Sequence, residues 1–83
     1  MTSTNILMVV LKPGEERALA DGECIKVLVE NKGPGTIRRA DGDEKEIGMG
    51  QISLLVGASL TLKNIDEKNN ATVILDFLSK SNQ

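Results

Sequence analysis

The chain is predicted to be all-β, a small β-sandwich or jelly-roll-like domain of about eight short antiparallel strands. Three observations carry the prediction. Short apolar or alternating segments recur, with turn signals roughly every eight to twelve residues. No long stretch holds a helical period, and Gly, Pro, Asn and Asp gather in the gaps.

Ile6–Leu11 is six apolar residues without alternation. A strand apolar on both faces is either central and covered or presses one face on a partner chain. Pro13-Gly14 ends it, because Pro has no N–H for a ladder and Gly accepts unusual backbone angles. Glu16–Ala20 reads as a weak strand, with one helical turn over Glu15–Ala20 as the competing reading, and Asp21-Gly22 is a turn signal. Cys24–Glu30 is the clearest strand: Ile25, Val27 and Val29 share one face, Lys26 and Glu30 the other, with Cys24 and Leu28 interspersed. Asn31–Gly35 is a loop by composition, and Thr36–Ala40 resumes an extended segment with Ile37 inward and Arg38 and Arg39 on opposite faces.

Asp41-Gly42 repeats the turn signal, and the acidic run Asp43–Glu46 fits a solvated hairpin tip or exposed edge. Beyond Gly48-Met49-Gly50, the segment Gln51–Val56 sets Ile52, Leu54 and Val56 on one face and Leu55 opposite. After Gly57, the residues Ser59, Thr61 and Lys63 alternate with Leu60, Leu62 and Asn64, one face wet and one buried. Asp66–Asn70 is a polar loop, and Ala71–Leu78 closes the fold with Val73, Leu75 and Phe77 on one face. Residues 79–83 are expected to fray, within one domain spanning 1–83.

The two halves echo each other. Aligning Gly14 with Gly57 pairs Leu19 with Leu62, and after a loop of different length Ile25, Val27 and Val29 fall against Val73, Leu75 and Phe77. Each half then reads as strand, glycine corner, strand, loop, alternating strand, which suits a double Greek key. The rhythm resembles that of small β-sandwich modules, among them those on phage capsids and tail fibres. The resemblance covers architecture and transfers no site residues.

Composition narrows the function. The 83 residues include one aromatic side chain, Phe77, so the core must be built from aliphatic residues. A thin aliphatic core in so short a chain points to further burial from outside, most simply self-association. The subunit contact is expected on the first strand, in Leu7/Val9/Leu11 or Ile6/Met8/Val10, with Leu7, Met8, Val9 and Leu11 singled out. A formal net charge of −2 with both signs interspersed argues against a nucleic-acid footprint, and a single Phe offers no stacking platform for bases. No apolar run approaches the ~18 residues of a membrane span. The start, Met1–Asn5, lacks a basic signal-peptide region, so a cytoplasmic or virion-associated location without secretion is expected.

Catalysis finds little in the chain. It has no His, the commonest general base and metal ligand, and Cys24 reads as a small core or subunit-contact residue. Gly33-Pro34-Gly35 and Gly48-Met49-Gly50 begin like phosphate loops, but neither continues as one, and both read as tight turns. Lys32, Gly33, Gly35, Arg38 and Arg39 form the candidate ligand or partner site, cations around loop amides that suit an anion or acidic patch. Asp41, Asp43, Glu44 and Glu46 lack the spacing of a calcium loop, so neither a metal nor a cofactor is expected. Asn70-Ala71-Thr72 matches a glycosylation acceptor but reads as the turn into the last strand. Two readings follow. One is a non-enzymatic structural or assembly module that self-associates, such as a phage or virion decoration or fibre component. The other is a small oligomeric binding protein, an inhibitor or sequestering protein, acting through loops 31–35 and 41–50.

Overall fold

A hairpin folded over on itself accounts for the whole topology. The computed structural model describes residues 6–20, 22–40 and 45–80, the side chains of 79 and 80 excepted. Its strands are β1 (Ile6–Leu11), β2 (Glu16–Ala18), β3 (Cys24–Asn31), β4 (Ile37–Arg39), β5 (Glu46–Ile47), β6 (Ile52–Ala58), β7 (Thr61–Asn64) and β8 (Ala71–Lys80). They pair antiparallel as β1 with β8, β2 with β7, β3 with β6 and β4 with β5, the ladder of one long hairpin. Rolling that hairpin up adds the pairs β3 with β8 and β4 with β7. The result is two four-stranded sheets, sheet A in the order β1-β8-β3-β6 and sheet B in the order β2-β7-β4-β5. This is the strand order of a jelly roll, as predicted.

The core lies between the sheets and is aliphatic. Val9, Leu11, Ile25, Val27, Val29, Leu55, Val73 and Leu75 enter it from sheet A, and Ile37, Ile47, Leu60 and Leu62 from the side of sheet B. Phe77 packs against its margin. The sheets are unequal in length: strands of sheet A run 6 to 10 residues and those of sheet B 2 to 4. Of the tail expected to fray, Ser79 and Lys80 continue β8 and pair with Lys26 and Ile25 of β3, and residues 81–83 lie outside the described residues. Segment 15–20 carries β2 and no helical turn.

The internal echo exists at a different register from the one the sequence suggests. Lys12–Glu15 and Gly48–Gln51 are the matching corners. In each, the fourth residue's N–H donates to the first residue's carbonyl (2.9 and 3.0 Å), and the third is a glycine at φ +80° (Gly14) or +84° (Gly50). Positive φ at that place is what a type II turn requires, and glycine supplies it without a Cβ clash. The side chain of the fourth residue closes each corner, Lys12 N–H donating to Glu15 Oε1 (2.8 Å) and Gly48 N–H to Gln51 Oε1 (2.6 Å).

A buried asparagine locks each corner. Asn64 Nδ2 donates to the carbonyls of Leu11 and Asn69, both at 2.9 Å, while its Oδ1 accepts from Asp66 N–H at 3.0 Å. Asn31 Nδ2 donates to the carbonyls of Ile47 (2.9 Å) and Gly35 (2.7 Å), and its Oδ1 accepts from Gly33 N–H at 3.1 Å. Even the backbone contacts match: Gly14 donates to Asn64 O as Gly50 donates to Asn31 O. Advancing each strand number by four therefore carries β1–β4 onto β5–β8 and sheet A onto sheet B. Gly57 has no part in this. It stays inside β6, paired with Ile25, and the corner after β6 falls at Ser59, the non-glycine residue at φ +56°.

Candidate interaction surface

The two outer faces of the sandwich differ in chemistry. On sheet B the register aligns Glu16, Lys63, Arg38 and Glu46 across all four strands, a charged row with two half-buried cations side by side in the centre and an exposed acid at each edge. On sheet A the corresponding rows are Met8, Ile74, Glu30, Ile52 and Ile6, Asp76, Leu28, Leu54. Lys26 stands beside Val56 in the next row, and Val10 beside Thr72. Ile6, Met8, Val10, Ile52, Leu54, Val56 and Leu78 expose 49 to 66 % of their surface on this face.

Those seven side chains present on the order of 700 Å² in all, where the largest contiguous patch on a typical monomer is ~300–600 Å². All but Leu78 fall in two groups, on edge strands β1 and β6, which half-buried Ile74 and Leu28 link across the centre of the sheet. The strand that produces this face most directly is β1, where Val9 and Leu11 fill the core and leave Ile6, Met8 and Val10 outside. Of the four contact residues singled out from sequence, Met8 thus lies on the open face. Leu7 is partly exposed on the inward side, and Val9 and Leu11 are inside this chain's own core. The second contributor, β6, went unrecognised. Ile52, Leu54 and Val56 do share a face, and it is the outer one, because the pairing with β3 sets Leu54 beside Leu28. Cys24 is exposed on the same face, beside Ala58, and not in the core.

The cation-and-glycine cluster proposed from loop 31–35 is drawn apart. Arg38 stands on the outer face of sheet B, in an open depression of about 470 Å³ shared with Pro13, Lys63, Asp66 and Glu67. Arg39, the next residue, lies near Gly57 at the end of β6. Lys32 is exposed and sits 3.8 Å from Glu30. The loop amides have internal partners: Lys32 N–H donates to Thr72 O, Gly33 to Asn31 Oδ1 and Gly35 to Asn70 O. Gly33 and Gly35 serve close packing, since a Cβ there would come within 2.5 Å of Thr72 N and 2.8 Å of Asn69 O. Of loop 41–50, residues 41–44 lie outside the described residues, and with them three of the four acidic groups considered for a metal. Residues 48–51 form the second locked corner.

In the depression on sheet B, Asp66 accepts the N–H groups of Lys68 (2.7 Å) and Asn69 (2.8 Å). Those bonds stabilise its carboxylate and lower its pKa from the ordinary value. An ionised acid held by its own loop suits turn formation better than proton transfer. No protein-family model matches the chain, and no curated protein matches it.

Proposed function

We propose that this protein is a non-enzymatic assembly module that associates by burying the outer face of sheet A. The observation that carries the reading is the contrast between outer faces: one charged and ordinary, the other a field of half-exposed aliphatic residues on long strands. A sandwich this small gains much of its stability from such added burial. The absence of His from the sequence supports a role without acid–base catalysis. Decoration of a larger particle or a fibre is one setting in which such a module would serve. The alternative, a binding protein acting through loops 31–35 and 41–50, gains nothing from the amides of Lys32, Gly33, Gly35, Gly48 and Gly50, which are already paired within the chain; residues 41–44 lie outside the described residues.

Sedimentation velocity across the micromolar range tests the reading. The native chain is expected to sediment above the mass of one copy, and Leu54→Asp to return it to one copy with its melting transition retained. A native chain that remains a single copy throughout, and that no other component joins, would overturn the proposal.

A further inference from the structure

We infer that the partner on this face is a second copy of the same chain, with β3 laid across its counterpart about a two-fold axis at Leu28. The inference rests on the assembly reading above and adds the occupant and its orientation. Area makes the first argument. The ~700 Å² of apolar residues, with the polar residues among them, approaches the ~800 Å² per partner of a standard interface. Charges within the field make the second. Lys26, Glu30 and Asp76 stand among the apolar residues near its centre, which suits a protein bearing matching charges and not a hydrocarbon surface.

Geometry then selects the orientation. Sheets packed face to face keep their strands within about 30° of one another, so a two-fold in the interface runs either along the strands or across them. Along the strands, between β8 and β3, each copy's Glu30 lies over Ile74 and its Asp76 over Leu28, charge upon apolar surface. Across the strands at Leu28, Lys26 of each copy lies over Glu30 of the other, because the two residues flank Leu28 at equal spacing on β3. That pairing occurs twice, as a two-fold demands. It also brings Asp76, level with Leu28 on β8, close to its own copy, an unfavourable element that limits the affinity. Glu30 is drawn from its exposed contact with Lys32 at little cost, since such surface pairs contribute little.

Charge exchange tests this arrangement. Lys26→Glu alone sets Glu against Glu30 twice, and Glu30→Lys alone sets Lys26 against Lys twice. Each variant is expected to weaken association at least ~10-fold, and an equimolar mixture to recover native association as a mixed pair, since both contacts are then opposite in sign. Asp76→Asn is expected to tighten association several-fold. Association of both single variants at native strength, or weakened variants that mixing does not rescue, would overturn the two-fold at Leu28 while leaving the assembly reading standing. A native chain that is a single copy at all concentrations would overturn both.

Discussion

The two sheets are alike on the inside and opposite on the outside. Each contributes an aliphatic inner layer, a type II corner and a buried asparagine holding that corner to the next loop. Outside, sheet B carries the row Glu16, Lys63, Arg38, Glu46, whereas sheet A carries Met8, Ile52, Leu54 and Val56. Folding demands explain the likeness, because both inner faces must exclude water and satisfy the same strand ends. They do not explain the difference. A sheet needs no aliphatic residues on its solvent face to fold, and exposing them invites association. What distinguishes the outer faces is therefore the part of the sequence most informative about function.

The largest expected effect tests the likeness. Asn31→Ala removes three buried hydrogen bonds and Asn64→Ala one buried and two part-buried ones, each to a backbone group, so each should cost about 2–4 kcal/mol in urea unfolding. Similar losses would confirm equivalent locks; a neutral substitution at either site would break the correspondence between the halves. Next comes the difference. Leu54→Asp on edge strand β6 should raise the dissociation constant at least ~30-fold, about 2 kcal/mol, whereas Ala18→Asp on edge strand β2 should leave it within about twofold. Equal effects of the two substitutions would erase the contrast between the faces.

The smallest effect concerns the loop after β7. Asp66 has a folded-state pKa below its ordinary value, so it favours the fold above the ordinary carboxylate range. That contribution is lost as pH falls through the depressed value. A carboxyl titration followed by NMR should give Asp66 a midpoint below that of exposed aspartates, and Asp66→Asn should remove the corresponding part of the acid dependence. An ordinary midpoint would show that its bonds to Lys68 and Asn69 do not hold in solution.

Much of the fold was legible because period two is a strong signal in short strands. It placed Val27, Val29, Leu62, Val73 and Leu75 on shared faces, and it set Asn64 in phase with Leu60 and Leu62. The same phase runs from Ile25 through Val29 to Asn31, so both locking asparagines could have been found as polar residues at inward strand ends. Period two does not say which face turns inward. On β6 the bulkier set, Ile52, Leu54 and Val56, is outside, and Ser53 and Leu55 face the core. Nor does glycine alone disclose its backbone angle. Gly57 resembles Gly14 in sequence context, yet Gly50 has the matching left-handed φ. The candidate loop site failed to assemble because a strand begins between its parts: Lys32, Gly33 and Gly35 precede β4, while Arg38 and Arg39 lie on it, on opposite faces.

Cys24 makes the face directly measurable in the native chain, since its thiol is exposed on the outer side of β3 beside Ala58. The rate of alkylation by a maleimide, followed by mass spectrometry alongside sedimentation, reports whether this face is covered when the chain associates. The rate is expected to fall as concentration passes through the range of assembly, and to stay at the single-copy value in Leu54→Asp. A rate that never changes while the sedimenting mass rises would place the contact elsewhere and contradict the assignment of sheet A.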